Sequence, residues 1–166
     1  DIALKAALTG HLVFSTLHTN DAPSSITRLI NMGTPNYLIS AALTLIMAQR
    51  LARKTCLDCR VIDENITPKL LNSVGFLPEQ SARAKIYKGG GCDNCSGSGY
   101  KGRMGIYEIL EIEGELKAGI LSNLQQNELN AIAKKNGFRT MQDMGQEMLL
   151  SGDLSFAEYE RVLQSN

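Results

Sequence analysis

Short blocks of apolar and polar positions mark the first elements of the chain. Apolar residues recur at helical spacing within residues 2–8, and Thr9-Gly10 follows as a stop signal, which predicts a helix. The next run, residues 11–17, is apolar, rich in strand formers and bounded by Asn20-Asp21. That pattern predicts a buried strand of an α/β sheet.

Two more helices are predicted before residue 48. Asp21 opens the first, which places Ile26 on its apolar face and closes at Gly33 and Pro35. The stretch 38–47 is apolar nearly all round, and this predicts a helix buried inside the domain.

The pattern changes at the first cysteine. From residue 56 to about residue 104, glycine, cysteine, asparagine and serine dominate with little periodicity, so we expect a loop-rich appendage. A strand-like run resumes at 104–110, and the last 50 residues are predicted to be helical. Ser155 and Glu158 have the spacing of a helix N-terminal cap.

Composition narrows the class of protein. Apolar residues make up 43% of the 166 residues, which allows a packed core. The 17 basic residues balance 17 acidic ones, so no overall field favours nucleic acid or an anionic membrane. Aromatic residues are sparse at 5%, and no apolar run reaches the ~20 residues that a membrane helix needs. The chain does not begin with Met, and we expect a piece of a longer protein.

Four cysteines form two pairs with two-residue spacers, Cys56 with Cys59 and Cys92 with Cys95. Such a spacer lets both thiolates of a pair reach one ion, and two pairs complete a tetrahedral sulphur shell. Zinc is the predicted metal. Two disulfides and a rubredoxin-like iron site are the alternatives, although nothing marks the chain as secreted. Four thiolates leave no open position for water, so we expect the zinc to be structural.

Glycines follow the second cysteine pair at positions 97, 99 and 102. They let the chain turn tightly, so that backbone N–H groups can approach the sulphurs. The appendage has too few apolar residues to fold alone, and metal binding in small zinc modules supplies on the order of 10 kcal/mol. We therefore expect the metal to keep this segment folded.

The two histidines, His11 and His18, bracket the predicted strand. On a straight strand they would lie ~23 Å apart, which is too far for a shared metal ion. His18 stands at the carboxyl end of that strand, where active sites of open α/β sheets collect, although a capping or loop histidine is the alternative. No phosphate-binding loop is present: its nearest approach, residues 97–104, has Arg-Met where Lys-Ser or Lys-Thr is required.

Three segments carry a resemblance to a known family. Residues 8–22, LTGHLVFSTLHTNDA, resemble the histidine box of that family. Residues 48–53, AQRLAR, are similar to the segment that precedes its metal-binding module. The end of that module resembles residues 92–108, CDNCSGSGYKGRMGIYE. From residue 1 to about residue 112, the chain resembles the hexameric ATPases that power type IV pilus extension and type II secretion.

The resemblance implies an α/β fold, namely the C-terminal portion of a RecA-like P-loop ATPase core with an inserted tetracysteine zinc module and a C-terminal helical subdomain. The implied domains are residues 1–54 for the core, 55–104 for the zinc module, and 105–166 for a returning strand plus the helical subdomain. The family's phosphate-binding loop, acidic box and Walker B segment would lie upstream of residue 1. The full-length parent is then expected to bind ATP and Mg and to hydrolyse ATP, whereas this piece alone is not.

Site residues follow from the same resemblance. His18, and with it His11, would lie near the γ-phosphate as catalytic histidines. Arg103, Arg50 and Arg53 would contact nucleotide or a neighbouring subunit, where a cation stabilises charge on the transferred phosphoryl group. A surface ion pair is the alternative for Arg103. The four cysteines match the family's metal ligands position by position.

The implied partners are the other subunits of a homohexamer and the inner-membrane platform protein of the pilus or secretion machine, with no nucleic acid. The protein would then be cytoplasmic and peripherally associated with the inner membrane through these partners. The segments look more like pilus assembly ATPases than secretion ATPases. A zinc-ribbon module for protein interaction or nucleic-acid binding is the alternative function, although zero net charge argues against nucleic acid. The resemblance also implies that this piece exposes a sheet edge and an apolar face that the missing half covers in the parent, so we expect it to self-associate.

Overall fold

The computed structural model describes residues 2–164, which fold as a mixture of α-helices and β-strands. They form two compact units. The first contains residues 2–49 and 107–140, and the second contains residues 50–106 and 141–164. No helix in the described range is both long enough and apolar enough to cross a membrane. The α/β class expected from the sequence is confirmed.

Helices and strands follow one another in mixed order along the described chain. The helices are α1 (Ile2–Leu8), α2 (Ala22–Asn31), α3 (Asn36–Ala42), α4 (Pro68–Ser73), α5 (Pro78–Arg83), α6 (Gly114–Leu121), α7 (Gln126–Lys135), α8 (Met141–Ser151) and α9 (Phe156–Tyr159). The strands are β1 (Leu45–Thr55), β2 (Arg60–Ile62), β3 (Tyr87–Gly89) and β4 (Tyr100–Glu111). β1 pairs with β4, and β2 pairs antiparallel with β3 so that Val61 lies opposite Lys88.

The first unit has a helical core. α3 packs on α1 and α6, and α7 packs on α2 and α6. These helices and the end of β4 bury one apolar cluster, which consists of Ala22, Ile26, Ile39, Leu110, Ile112, Leu116, Ile120, Leu129 and Ala133. Burying such side chains is worth roughly 1.5–3 kcal/mol each for the larger ones, so this cluster is the main source of stability in the unit.

The helix predicted to start at Asp21 is confirmed. Asp21 is the N-cap of α2, and its Oδ1 atom accepts a hydrogen bond of 2.7 Å from the backbone N–H of Ser24. Ile26 is fully buried on the inner face. The helix ends before Gly33, which has a φ of +83° that glycine adopts without strain. The helix predicted over residues 2–8 is also present, as α1.

The strand predicted over residues 11–17 is wrong. This segment has no regular secondary structure, and Leu12 and Phe14 are 83% and 88% exposed. A strand depends on hydrogen bonds to a neighbouring strand. Among the described residues, the only sheets are the β1–β4 and β2–β3 pairs, so the segment has no strand beside it.

The buried helix predicted over residues 38–47 is also wrong in part. The helix α3 ends at Ala42, and β1 begins at Leu45. A run that is apolar on both sides fits a helix or a strand equally well, and periodicity alone does not separate them. Pairing with β4 satisfies the backbone hydrogen bonds of β1 and favours the strand over the helix. The side chains are alternately more and less exposed from residue 45 to residue 51.

The second unit is more ordered than the loop-rich appendage expected over residues 56–104. Two helices of 6 residues, α4 and α5, and two strands of 3 residues, β2 and β3, lie within that range. Elements this short span fewer than two hydrophobic periods, so the pattern does not repeat and the sequence did not indicate them. Leu71 and Phe76 are buried there, and Gln146 of α8 donates a hydrogen bond of 2.9 Å to the carbonyl of Val74.

The strand and helices predicted after residue 104 are confirmed. The run 104–110 lies within β4, and α6 to α9 follow it. Ser155 caps α9 as its spacing to Glu158 predicted: its Oγ atom accepts a hydrogen bond of 3.3 Å from the Glu158 backbone N–H.

Candidate functional site

Two turns bring the four cysteines together in the second unit. Cys56 and Cys59 lie between β1 and β2, while Cys92 precedes and Cys95 ends a short helical turn between β3 and β4. The sulphurs of Cys56 and Cys92 are 3.9 Å apart, those of Cys59 and Cys95 are 3.8 Å apart, and those of Cys92 and Cys95 are 3.7 Å apart. All four sulphurs lie within 4.8 Å of one another, so the two pairs converge as the spacing predicted.

The spacing of these sulphurs fits a tetrahedral metal ion. Four thiolates bound at ~2.3 Å to zinc are ~3.8 Å from one another, which the distances of 3.7–3.9 Å reproduce. All four cysteines are free, whereas a disulfide would join its sulphurs at about 2.05 Å. The two-disulfide alternative therefore does not describe this structure. The cluster could hold a metal ion, and four sulphur ligands would complete a tetrahedral shell.

Backbone N–H groups point at one of the sulphurs. Those of Cys92 and Gly99 donate to the Sγ atom of Cys95 at 3.2 Å and 3.3 Å. The hydrogen bond from Cys92 in particular lowers the pKa of the Cys95 thiol to about 6, while burial raises the pKa of the Cys59 thiol to about 12. Donation to a sulphur favours its thiolate, which is the form that binds metal. The expected role of the glycines after Cys95 is thus confirmed at Gly99.

Side chains and backbone also join the two cysteine turns directly. The Asn94 amide donates to the Asp58 carboxylate, and Lys101 in turn donates to Asn94. The backbone N–H of Cys56 donates to the carbonyl of Gly99 at 2.9 Å. The sequence analysis missed these contacts, because nothing in the spacing pairs a residue of one turn with a residue of the other.

His18 lines an open pocket of about 310 Å³ in the first unit, at the start of α2. Polar side chains dominate its wall, including those of Asp21, Arg28 and Gln126. His11 is not among the lining residues. It is exposed, with its Nδ1 atom 3.1 Å from the Thr9 hydroxyl. The structure therefore does not bring the two candidate histidines into one pocket.

A buried carboxylate fixes the backbone beside His18. Glu108 of β4 is only 3% exposed and accepts a hydrogen bond from the backbone N–H of Ala22, the first residue of α2. The first N–H groups of a helix have no partner within it, and a negative charge there is favourable. Glu108 and Asp21 thus fix the first turn of α2, and with it the backbone just after His18. Sequence reasoning missed Glu108, because 86 residues separate it from Ala22.

The candidate arginines are not equivalent. Arg53 and Arg103 line a pocket of about 440 Å³ in the second unit, together with Leu51, Ala52 and Arg161. Arg50 is not among the residues lining that pocket. Arg161 was missed by the sequence analysis.

Glu158 connects two of these arginines. Its side chain is fully buried, and its Oε2 atom accepts hydrogen bonds from Nε and Nη2 of Arg53 at 2.9 Å and 2.7 Å. Nε of Arg161 donates to the same oxygen at 2.8 Å. Burial raises the pKa of the Glu158 carboxyl. The hydrogen bonds from Arg161 and Arg53 have the larger, opposite effect, and the pKa falls to about 2. The i,i+3 spacing of Glu158 and Arg161 was the one available signal for this pair.

Comparison with known proteins establishes the class of protein. The family described as "Type II/IV secretion system protein" matches residues 1–161, so the chain belongs to that family of type IV pilus and type II secretion ATPases. The resemblance stated above is confirmed.

Individual relatives come from both branches of the family. The chain is 41% identical to the type IV pilus assembly ATPase PilB of Thermus thermophilus over 157 residues, which are 95% of this chain and 18% of the relative. It is 43% identical to the type IV pilus assembly ATPase TfpB of Acinetobacter baylyi over 98% of this chain and 28% of the relative. The putative type II secretion system protein E of Escherichia coli is 39% identical over 97% of this chain and 32% of the relative. The chain thus spans less than a third of the length of these relatives.

Proposed function

We propose that the chain is the C-terminal part of a motor ATPase that couples ATP hydrolysis to type IV pilus assembly or to type II protein secretion. The observation that carries the proposal is the family match over residues 1–161, together with relatives whose names include pilus assembly ATPase and secretion system protein E. The converging cysteines agree with it, since the sequence resemblance implied a metal module at those positions. Pilus assembly is the favoured branch, because the segments AQRLAR and GRMGIYE look more like those enzymes.

The proposed organisation follows the three implied domains. Residues 1–54 belong to a RecA-like core, residues 55–104 form a zinc module, and residues 105–166 return to the core and continue as a helical subdomain. Cys56, Cys59, Cys92 and Cys95 would hold one structural zinc ion, which supplies a rigid cross-link and no reactive position. The family match supports the assignment of residues 1–54 to the core, and the distances between the sulphurs support the zinc module.

The chemical roles belong to the parent protein. Its phosphate-binding loop would hold ATP and Mg, since this chain carries no such loop and should not hydrolyse ATP alone. His18, together with His11, would act near the transferred phosphoryl group, and Arg103, Arg53 and Arg50 would contact nucleotide or a neighbouring subunit. Guanidinium groups at such a position stabilise the charge that spreads over the phosphoryl oxygens.

The proposed partners are the other subunits of a homohexamer and the platform protein in the inner membrane. The motor would work in the cytoplasm and reach the membrane through that platform. Support comes from the family alone, whose members act in pilus and secretion machines.

The test measures ATP hydrolysis by the full-length parent and its His18→Ala variant, with the exposed Lys134→Ala as matched control. We expect hydrolysis by the parent, a loss of ~100-fold or more in kcat for His18→Ala, and no change for the control. A parent without ATPase activity would overturn the proposed function. Normal activity of His18→Ala would overturn the role of His18 and leave the motor standing. Loss of surface pili, rather than of secretion, on gene deletion would select the branch.

A further inference from the structure

The ring of His18 has no side-chain partner that orients it. The residue is exposed, and its ring makes no hydrogen bond or ion pair within residues 2–164. It stands in a segment, residues 11–19, that has no regular secondary structure. A functional side chain is normally held near its productive geometry by packing and by hydrogen bonds of the residues around it. The position of the His18 ring therefore depends on the backbone that carries it.

The residue after His18 is attached to a buried hydroxyl of α2. Oγ1 of Thr19 lies 2.8 Å from Oγ of Ser25, which is only 3% exposed. Ser25 donates its hydroxyl hydrogen to the carbonyl of Asp21 at 3.3 Å, so Thr19 is the donor in its contact with Ser25. Thr19 and His18 line the same pocket. One buried hydroxyl thus fixes the neighbour of His18 against the helix.

The first turn of α2 is held in turn from β4. The carboxylate of Glu108 accepts a hydrogen bond from the backbone N–H of Ala22, and both residues are buried. A continuous set of buried polar contacts therefore leads from β4 through the first turn of α2 to Ser25 and Thr19. A buried donor or acceptor that loses its partner is costly, so these contacts leave the backbone little freedom.

Stability alone does not account for a carboxylate at this place. The helix α2 already has its own N-cap, Asp21. Burial of Glu108 removes a charged group from water, and an apolar side chain at such a position is often equally stabilising. A carboxylate differs from an apolar side chain in fixing the direction of the N–H group that it binds. The gain is therefore in the placement of the backbone beside His18.

We propose that Ser25 and Glu108 are positioning residues for His18, which hold the backbone that carries its ring at the wall of the pocket. The catalytic part of this role rests on the proposed function, in which His18 acts near the transferred phosphoryl group. A misplacement of about 1 Å can cost on the order of 100-fold in rate even when the altered residue lies outside the reacting atoms. Since the phosphate-binding loop upstream would hold the nucleotide, the loss should fall on kcat rather than on KM.

The first experiment measures ATP hydrolysis by the full-length parent. Ser25→Ala and Thr19→Val each remove one hydroxyl of the pair, and each should lower kcat about tenfold or more with the KM for ATP nearly unchanged. Thr19→Ser should recover most of the activity that Thr19→Val loses. The control is Ser40→Ala, which removes a half-buried hydroxyl that donates to the carbonyl of Lys117 at 3.1 Å in the same unit and should keep the parental kcat. A Ser25→Ala variant as active as Ser40→Ala would overturn the role of Ser25.

A double-mutant cycle separates positioning from general stability. If Ser25 acts through His18, Ser25→Ala should cause no further loss of kcat once His18 has been replaced by Ala. The same fold-loss in both backgrounds would show that Ser25 serves the fold and not the placement of His18.

The second experiment uses this chain and needs no activity. Backbone ¹⁵N relaxation should give order parameters of about 0.8 or more at Thr19 and Ala22, and values near or below ~0.6 there in Ser25→Ala and Glu108→Ala. The order parameter of Ile120 in the core should stay unchanged, which excludes global unfolding as the cause. Glu111→Ala, at an exposed position of the same strand, is the control and should leave all three residues ordered. Full order at Ala22 in Glu108→Ala would overturn the role of Glu108.

Failure of these positioning roles and failure of the motor proposal give different results. An active parent whose Ser25→Ala and Glu108→Ala variants keep the parental kcat, beside an inactive His18→Ala, would reject the positioning roles and keep the motor. A parent without ATPase activity would reject the motor and the catalytic part of these roles. Loss of order at Thr19 in Ser25→Ala would in that case still support Ser25 as the residue that fixes the His18 segment.

Discussion

Gly99 shows how one residue can serve both the backbone and the cysteine cluster. Its φ of +74° lies in the region that glycine favours, and a side chain there would come within 2.8 Å of the Gly89 carbonyl oxygen. The same residue donates its N–H to the sulphur of Cys95. A methyl group at this position would strain the backbone and clash with Gly89, and the backbone shift that relieves the clash would move the N–H away from the sulphur.

Substitution of Gly99 by Ala should therefore damage the cysteine cluster. Gly102 is the matched control, because its φ is +76° but nothing lies within 4 Å of an added Cβ atom. We expect Gly102→Ala to cost about 1 kcal/mol of backbone strain and to retain zinc fully. Gly99→Ala should cost at least ~2 kcal/mol more and release zinc to a competing chelator at lower chelator concentration. Equal behaviour of the two variants would mean that the close approach to Gly89 has no consequence for metal binding.

At the scale of elements, Glu158 attaches β1 to the turn that follows α9. It lies at the end of the chain's helical segment, yet its carboxylate binds Arg53 of β1 as well as Arg161 of the π-helical turn. Removal of one partner of such a buried pair leaves an uncompensated charge. The contact should therefore set how firmly the C-terminal turn is held.

The acid stability of the second unit should depend on this carboxylate. Its pKa falls from an ordinary value of 4.5 to about 2 in the folded chain, so it stabilises the fold above pH ~4.5 and loses that effect as the pH falls toward 2. The contribution is roughly 3 kcal/mol at neutral pH. Between pH 5 and 2, the free energy of unfolding should therefore fall less steeply for Glu158→Gln than for the unmodified chain or Glu79→Gln. Any loss of metal in acid would affect all three proteins alike and would not change this comparison. Equal slopes of the free energy of unfolding against pH for all three would contradict the prediction.

Elements were predictable where the pattern was local. The Asp21 cap and the stop at Gly33 define α2 within a dozen residues, and the Cys-x-x-Cys spacing predicts a converging pair. The strand β1 was not predictable from residue 45 onward, because its apolar residues on both faces have no single period and its partner β4 lies some 50 residues on. The contacts of Glu108 with Ala22 and of Glu158 with Arg53 were missed for the same reason, because 86 and 105 residues separate these partners.

At the scale of the whole molecule, apolar side chains remain uncovered. Ile2, Leu12 and Phe14 are each more than 80% exposed in the first unit. Single exposed apolar residues are ordinary, but several within the first fourteen residues, on a segment of strand-forming composition, favour association between copies. The self-association predicted from the sequence stays a prediction. We expect these exposed apolar residues to be its main cause.

Removal of two of these side chains should suppress that association. We expect the molar mass of the chain, measured by light scattering after size exclusion, to rise with concentration. Leu12→Ser with Phe14→Ser should return it to 18.1 kDa, whereas Leu77→Ser, which removes a 64% exposed leucine of the second unit, should leave the rise unchanged. A constant monomer mass for the unmodified chain would refute the prediction.

The position of the cysteines also bears on how this segment tolerates change in length. Cys56 and Cys92 are 36 residues apart, so a metal bound by both would close a loop whose ends lie directly after β1 and shortly after β3. The entropy of loop closure grows only logarithmically, by about 0.6 kcal/mol for each doubling of loop length. Residues added at the exposed turn around Glu64 and Asn65 would thus change the free energy of unfolding by less than ~1 kcal/mol, a value that denaturant titration can check. If a metal closes this loop, the segment between the cysteine pairs would tolerate changes in length at little cost in stability.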